Sequence, residues 1–447
     1  MTLVTFFVIL QTNKIKIQMN ESNKKAELGW VMFDWANSSY SLVISTAIFP
    51  TFFIAVTDAY IPVFGLNISN SSIYAFSVSI AYLMICLISP ILSGIADYSG
   101  SRKLFMRLFT TTGSAACAAL FFFDGMNHIW LGVLAFIIAT SSHAGSLVFY
   151  DAFLPELVPP NRRDKLSARG YAYGYIGSVI LLIINIIVIQ KPEMFGFSNI
   201  SIEQHIPIRL AFLSVGIWWF GFSQFSFSRL PDDIVKPKEK IQLNKGLNEL
   251  RKAWKQIKHH PSIYYYLIAF FCYSAGVQTV IYLASAFAEK ELHFESSELI
   301  LVILILQLVA IGGAYLFAHI SKLSNNLLSM RYMLMVWIVI CVMAYFVQSH
   351  MMFYFIAALV GMVLGGIQAI SRSTYSKIIP QESKDVNCFF SFYDTVYYTS
   401  IVSGTFIFGI VDHLTGNMRY SVLSLAVFFI GGLILLRKVK LNAIAVD

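Results

Sequence analysis

Long runs of apolar residues alternate with short polar segments along almost the whole chain. Twelve runs have about the twenty residues that a helix needs to cross a bilayer. The first six lie near residues 30–57, 72–96, 104–123, 128–154, 167–190 and 206–228, and the second six near 262–287, 297–320, 330–348, 351–376, 388–411 and 419–436. The pattern predicts an all-α polytopic membrane protein with twelve transmembrane helices in two six-helix bundles.

The division of the chain follows from the same pattern. We expect an N-terminal cytoplasmic segment at 1–29, bundles at 30–229 and 262–437, a linker at 230–261 and a cytoplasmic tail at 438–447. The run MTLVTFFVIL is too short to span a membrane and lacks the basic leader of a signal peptide. Met19 starts a charged segment that leads directly into the first span. We therefore expect translation to begin at Met19, which would leave residues 1–18 outside the protein.

Composition supports the membrane assignment. The 447 residues are 57% apolar and 13% charged, against about 25% charged in soluble proteins. The net charge of +8 is divided among short loops, so it does not indicate nucleic-acid binding. If both termini are cytoplasmic, the inner segments hold 28 of the 32 Lys and Arg residues, and the outer loops hold Lys191, Arg209, Lys290 and Arg419. This asymmetry is typical of a bacterial inner-membrane protein with both termini in the cytoplasm.

The first span carries a polar stripe. At 100° per residue, five polar side chains share one narrow helix face: Asp34, Asn37, Ser38, Ser41 and Ser45. A carboxylate in a spanning helix normally faces the bundle interior or a water-filled path. The stripe favours a route for a polar solute or a proton. The alternative is that Asp34 lies near the membrane surface, caps a neighbouring helix or pairs with a structural cation.

Other polar groups at membrane depth extend the set of candidates for the substrate or proton pathway. They are Tyr150 and Asp151 in the fourth span, Gln278 in the seventh, Gln307 in the eighth, Gln368, Arg372 and Tyr375 in the tenth, and Asp394 in the eleventh. An unpaired arginine in lipid is costly, so Arg372 should find a carboxylate or a ligand anion. The depth of Arg372 and Asp394 leaves two roles open, a substrate contact or a cytoplasmic gate in which the two residues pair. Asp151 is a further gate candidate.

Two segments on the cytoplasmic side have patterns of their own. The loop SGIADYSGSRK combines Asp97, Gly100, Arg102 and Lys103, and its carboxylate could cap the positive N-terminal end of a neighbouring helix. In the linker, the apolar face of an amphipathic helix is formed by Leu247, Leu250, Trp254 and Ile257. The pattern predicts a helix that lies on the cytoplasmic membrane surface, with binding of a partner as the alternative.

These residues together carry a resemblance. The loop motif G-x-x-D-x-x-G-x-R-K after the second of twelve spans, with a long basic central loop, resembles the major facilitator superfamily. Ser93 holds a place that is usually Gly, and the loop AHISKLSNN after the eighth span has no acidic residue. The chain is also similar to the vacuole effluxer family, related to an autophagy-associated vacuolar amino-acid exporter of fungi. The motifs are FDWANSSY with AIFP (33–50), AFLPEL (152–157), SARGYAYGYIG (167–177), GGIQAISRS (365–373) and FFSFYD (389–394).

The resemblance implies the major facilitator fold and secondary transport of a small solute, amino acids or related metabolites, by alternating access. It implies a cavity lined by the first, fourth, seventh and tenth spans, which carry Asp34, His143, Gln278 and Gln368. It also implies that Asp97 locks against the eleventh span in the outward-open state. Asp151 and Ser391 depart from the Asn and Gly that the family leads us to expect.

Energy coupling and partners are less constrained by the sequence. No nucleotide-binding loop or metal-ligand spacing occurs, and the five cysteines are scattered. We therefore expect no cofactor, no metal and no enzymatic activity, with protons or another coupling ion as partner besides the solute and the lipid bilayer. The alternatives are transport of peptides, sugars, drugs or lipid-like molecules, and a non-transporting membrane sensor with the same fold.

Overall fold

The computed structural model of the chain describes residues 23–63, 65–233, 243–294, 296–380, 383 and 385–441. The predicted start of translation at Met19 and the last six residues of the predicted tail lie outside the described residues. Almost all of the described chain is helical. We number the long helices α1 to α12 and refer to the helix between α6 and α7 as the linker helix.

The helices of the first bundle are α1 (Asn23–Val56), α2 (Asn70–Ser99), α3 (Arg102–Ala119), α4 (Ile129–Asp151), α5 (Pro160–Gln190) and α6 (Ile206–Phe227). The linker helix is Leu243–His259. The second bundle contains α7 (Pro261–Leu292), α8 (Ser296–Leu323), α9 (Asn326–Phe346), α10 (His350–Ile378), α11 (Val386–Thr415) and α12 (Met418–Leu436).

The predicted fold class is confirmed. Eleven of the described helices are long and apolar enough to cross a membrane. The twelfth, α11, has 30 residues and a more polar sequence, which includes Asp394 and Tyr397. A short β-hairpin, β1 (Tyr60–Val63) paired antiparallel with β2 (Leu66–Ser69), joins α1 to α2. The spacing of apolar runs gave no sign of this hairpin, because it lies in the short segment between two spans.

The two bundles meet along a few long helices. From the first bundle, α2 packs against α11, and α5 packs against α8 and α10. We call the end of the molecule that carries the linker helix and the loops after α2, α4, α8 and α10 the linker side. Hydrogen bonds between the two bundles are concentrated at this end, which is therefore closed.

The linker helix packs on the protein itself. Ile257 is fully buried in the core of the second bundle, as part of the face that was predicted to rest on the membrane or on a partner. The rings of Trp254 and Phe392 lie 5.3 Å apart, centroid to centroid. Trp254 keeps 41% of its surface exposed, so the outer part of the apolar face stays available on the linker side.

Candidate functional site

A cavity of about 220 Å³ lies between the two bundles. An engineered cavity of about 150 Å³ holds a benzene molecule, so this one has room for a single small solute. Eight helices line it: α1, α2, α4, α5, α7, α8, α10 and α11. Of the residues singled out from the sequence, those that line the cavity are Asp34, Asn37, Ser38, Ser41, His143, Asp151, Gln278, Gln307, Gln368, Arg372 and Asp394.

Arg372 is the central charge of this site. It lies six residues before the end of α10 and is 1% exposed. Its Nη2 donates to Asp34 Oδ2 and its Nη1 donates to Asp151 Oδ1, both at 3.1 Å. Because both carboxylates belong to the first bundle, these ion pairs join the bundles. Removing one partner of a buried ion pair typically costs about 3–5 kcal/mol.

The remaining contacts of Arg372 are also with the protein. Its Nε donates to Ser167 Oγ at 3.0 Å, and its Nη2 donates to the Ser167 carbonyl at 3.1 Å. The guanidinium lies 4.6 Å from the Trp30 ring and 4.1 Å from the Tyr171 ring, at distances typical of cation–π contacts. Sequence analysis did not single out these three partners. Ser167 and Tyr171 do lie in the motif SARGYAYGYIG, which was the available signal.

Asp34 is held from the side that faces away from the cavity. The Tyr150 hydroxyl donates to Asp34 Oδ2 at 2.7 Å, and Trp30 stacks on the Tyr150 ring at 4.5 Å. Tyr150 therefore positions the carboxylate and does not line the cavity. At Gly170, an added Cβ would lie 2.5 Å from Asp34 Oδ2 and 3.0 Å from Arg372 Nη2. Only glycine at this position lets α5 approach the ion pair so closely.

The polar stripe of α1 changes register halfway along the helix. Tyr40–Ile48 is a π-helix, and Thr46 Oγ1 donates to the carbonyl of Ser41, five residues earlier, at 2.9 Å. The wider turn places Thr46 in the cavity wall. Ser45, which the 100° pattern predicted there, is absent from the lining, and its carbonyl accepts from the Tyr74 hydroxyl at 3.2 Å. The uniform α-helical spacing was wrong beyond Ser41.

The pairing of Arg372 with Asp394, which was one of the two roles left open by the sequence, is not the arrangement in this structure, because Asp34 and Asp151 accept from the arginine. Asp394 Oδ2 is buried and has no hydrogen-bond partner among the described residues. Tyr375 was predicted to share a face of α10 with Gln368 and Arg372 and to belong to the substrate or proton pathway. Instead its hydroxyl donates to the carbonyl of Phe389 at 2.8 Å, so Tyr375 packs between α10 and α11.

On the linker side, Asp97 contacts the first turn of α11. Its carboxylate accepts from the backbone N–H of Asn387 at 3.1 Å, from that of Cys388 at 2.8 Å, and from the Asn387 side-chain amide at 2.6 Å. A carboxylate is stabilised at a helix N-terminus by the unpaired N–H groups and the helix dipole. We call this contact the Asp97 lock.

The other residues of the same loop support the Asp97 lock. Gly100 ends α2 with a φ of 70°, a left-handed conformation that favours glycine. Arg102 donates to Asn387 Oδ1 at 2.8 Å and pairs with Glu156 at 2.9 Å. Lys103 Nζ pairs with Asp232 at 2.7 Å, and this charge-assisted hydrogen bond lowers the pKa of Asp232.

A second contact between the bundles was not anticipated from the sequence. Asp164, near the start of α5, accepts from Ser321 Oγ at 2.9 Å, Asn326 Nδ2 at 2.7 Å and Lys377 Nζ at 2.7 Å. We call this contact the Asp164 lock. In the sequence Asp164 lies among basic residues of a polar segment, and nothing there shows that its partners come from three separate parts of the second half.

Comparison with known families agrees with this architecture. Residues 22–444 match the family described as "Vacuole effluxer Atg22 like". The MFS-type transporter YxiO of Bacillus subtilis is 30% identical over 92% of this chain and 94% of its own length. Autophagy-related protein 22 of Kluyveromyces lactis is 25% identical over 79% of this chain and 76% of its own.

Solved structures show the same fold. The major facilitator superfamily transporter FucP, crystallised in the outward conformation, superimposes with a TM-score of 0.67 at 12% identity, covering 94% of this chain and 99% of FucP. The proton:xylose symporter XylE gives a TM-score of 0.66 at 13% identity, with 92% and 94% covered. At these identities the likeness establishes the fold alone.

Proposed function

This chain belongs to the vacuole effluxer Atg22-like family of major facilitator superfamily transporters, and on that premise we propose that it carries a small solute by alternating access between its two bundles. The observation that carries the proposal is the buried ion pair of Arg372 with Asp34 and Asp151. It lies at the linker-side end of a solute-sized cavity and joins the two bundles. An element of this kind has to break when that side opens.

We propose that the linker side faces the cytoplasm of a bacterial cell and that both termini lie there. The distribution of Lys and Arg supports this orientation. In that orientation the structure represents a state closed towards the cytoplasm, because the Asp97 lock, the Asp164 lock and the Arg372 pairs are all formed.

Proton coupling is the driving mechanism that the site supports best. Asp34 and Asp151 share one guanidinium, so a proton on either carboxylate would remove one of the attractions that hold the bundles together. We propose Asp34 as the coupling residue, because its Oδ2 also accepts from Tyr150. A proton on Asp34 would remove the charge that strengthens both its ion pair with Arg372 and its hydrogen bond from Tyr150. Amino acids or related metabolites are the proposed solutes.

The experiment is uptake into proteoliposomes of a panel of amino acids, dipeptides and sugars, with and without an inward proton gradient. Gradient-driven flux should be lost in Asp34→Asn while the amount of folded protein stays unchanged. The matched control is Asp58→Asn, because Asp58 is an exposed aspartate that does not line the cavity. Unchanged gradient-driven flux in Asp34→Asn would refute the coupling role.

The same assay addresses the alternatives. Flux of dipeptides or sugars without flux of amino acids would assign a different substrate class to the same mechanism. Binding of a panel member to the purified protein without flux in any condition would indicate a membrane sensor and would refute transport.

A further inference from the structure

The charges that line the cavity do not balance. Among the described residues that line it, the acidic ones are Asp34, Asp151 and Asp394, and the only Lys or Arg is Arg372. Two of the carboxylates are paired with Arg372. The third carboxylate is left without a cation, and a cavity of this kind attracts positively charged solutes.

Asp394 has the geometry of a group that awaits a ligand. It is 5% exposed, it lines the cavity, and no hydrogen-bond donor among the described residues reaches its Oδ2. Buried polar atoms nearly always have a partner, so one without a partner requires an explanation. A cationic group bound in the cavity would supply both the missing hydrogen bond and the missing charge.

The surroundings of Asp394 indicate which kind of cation fits. Phe270, Tyr393, Tyr397 and Tyr398 line the same cavity. The ring of Phe270 stacks on Tyr393 at 4.0 Å and on Tyr397 at 6.2 Å. Aromatic faces attract organic ammonium groups, whereas Ca²⁺ takes about six to eight oxygen ligands. One carboxylate beside an aromatic wall therefore suits an ammonium group better than a metal ion.

Arg372 offers little to an anionic end of the solute. Its Nε, Nη1 and Nη2 already donate to Ser167, Asp151 and Asp34. A bidentate contact with a free carboxylate needs two parallel N–H donors, and these are occupied in the closed state. A neutral amino acid would therefore bring a carboxylate that finds no strong partner, while its amino group would find Asp394.

We propose that Asp394 is the binding residue for the ammonium group of a cationic amine, and that the cavity selects solutes of net positive charge over neutral amino acids. This inference rests on the proposed transport function and narrows its substrate class. The chemical class is a primary amine with room for a short alkyl chain along the aromatic wall.

The test is equilibrium binding to the purified full-length protein, with cadaverine, lysine, leucine and glutamate as probes. Cadaverine should bind at least about tenfold more tightly than leucine, because both present an ammonium group to Asp394 but leucine also brings a carboxylate that finds no strong partner. Lysine carries the same carboxylate with a second ammonium group and should bind with an affinity between the two. Asp394→Asn should weaken cadaverine binding by about tenfold or more, and Asp394→Glu should recover part of the loss. Asp58→Asn is the control for removal of an exposed carboxylate.

A second pair of variants serves if Asp394→Asn does not fold. Tyr397→Leu removes a ring from the wall and should weaken cadaverine binding by about threefold to tenfold. Tyr397→Phe keeps the ring and should recover most of the affinity that Tyr397→Leu loses. Equal loss in both variants would refute the aromatic contribution, because the hydroxyl alone would then be responsible.

The outcomes separate this inference from the transport proposal. Equal affinity for leucine and cadaverine, or unchanged cadaverine binding in Asp394→Asn, overturns the inference and leaves transport intact. Loss of proton coupling in Asp394→Asn with unchanged cadaverine affinity assigns the residue to the proton and also overturns it. Cadaverine binding that depends on Asp394 without flux of any probe supports the inference and refutes transport.

Discussion

The Asp97 lock and the Asp164 lock connect the same two bundles at the same end of the molecule, but with different chemistry. Asp97 accepts from two backbone N–H groups in the first turn of α11 and from one side-chain amide. Among the described residues, the donors to Asp164 are all side chains, namely Ser321, Asn326 and Lys377. One lock therefore depends on a helix terminus and the other on the identity of three residues.

The difference shows that the two halves of the chain do not carry corresponding charges in corresponding loops. The loop after α8 corresponds to the loop after α2, yet its sequence AHISKLSNN has no acidic residue. The second contact is rebuilt with an aspartate from α5 of the first bundle. Both aspartates thus lie in the first bundle, and both sets of donors lie in the second. The two locks therefore both stabilise the closed state.

The largest effect should come from removing both charges. Asp97→Asn combined with Asp164→Asn should shift the equilibrium between the linker-side closed and open states by about 50-fold towards the open one. This corresponds to a free-energy change of about 2–2.5 kcal/mol. The free-energy changes of the two single variants should add, because the two aspartates share no hydrogen-bond partner among the described residues.

The measurement is the distance between spin labels at Arg107→Cys and Leu323→Cys, which are exposed positions in α3 and α8. Cys86 and Cys272, which are only partly buried, would be replaced by serine beforehand. A double variant whose distance distribution equals that of the parent protein would show that neither lock controls the closed state.

Asp97→Asn alone should shift the equilibrium by about tenfold. The asparagine still accepts a hydrogen bond, but it loses the charge that three donors share, and hydrogen bonds to a charged acceptor are stronger by about 1 kcal/mol or more. The same spin-label pair gives the population. Asn387→Ala should have a smaller effect, since both backbone donors remain. An equal effect would show that the Asn387 side-chain amide, and not the backbone N–H groups, provides most of the lock's stability.

Asp164→Asn should shift the equilibrium by about fivefold, because Lys377 keeps Asn326 Oδ1 as an acceptor at 3.0 Å and a hydrogen bond to a charged acceptor is stronger than one to a neutral acceptor by about 1 kcal/mol. Since the partner is a side chain, the exchange Asp164→Lys with Lys377→Asp should recover part of the closed population. No exchange on α11 can do this for Asp97. Failure of the double exchange to improve on either single change would contradict the pairing.

The two locks should also differ in their response to pH. Burial, a hydrogen bond with Glu249 and the nearby charge of Asp97 raise the pKa of Asp385 to about 7, while Lys252 opposes the rise. When the linker side opens, Asp97 moves away and the pKa of Asp385 falls, so the closed state binds the proton more tightly. The closed state should therefore be favoured below pH 7 and lose this advantage as the pH rises through about 7.

The expected change in the closed-to-open ratio between pH 6 and pH 8 is up to about threefold, since Asp97 is a minor cause of the raised pKa. Spin-label distances recorded across this range measure it. Asp385→Asn should abolish the pH dependence, whereas Asp164→Asn should retain it. A pH dependence that survives Asp385→Asn would have to arise from another group.

Much of the architecture could be read from the sequence because the bilayer imposes it. Twelve apolar runs correspond to twelve long helices, and polar residues within them, such as Asp34, Arg372 and Asp394, line the cavity between the bundles. A polar group in lipid is costly enough that its position alone indicates an interior location. The loop around Asp97 was identified because its motif is local.

The pairing of these groups could not be read from the sequence. The sequence left open whether Arg372 pairs with Asp394 or contacts the substrate, and in the structure Asp34 and Asp151 accept from it. Contacts between helices depend on rotation and depth, which periodicity does not contain. The π-helix in α1 places Thr46 instead of Ser45 in the cavity lining. A uniform α-helical period could not predict this change. Asp164 was missed because a charged residue near a helix end usually faces solvent.

The smallest effect should come from Glu156, which pairs with Arg102 at 2.9 Å but keeps 50% of its side chain exposed. Exposed ion pairs contribute about 0–1 kcal/mol, and both residues belong to the first bundle. Glu156→Gln should therefore change the closed population by less than about twofold. It matches Asp97→Asn as the removal of one carboxylate on the linker side. A shift as large as that of Asp97→Asn would mean that the net charge of this face, and not the contact with the first turn of α11, holds the bundles together.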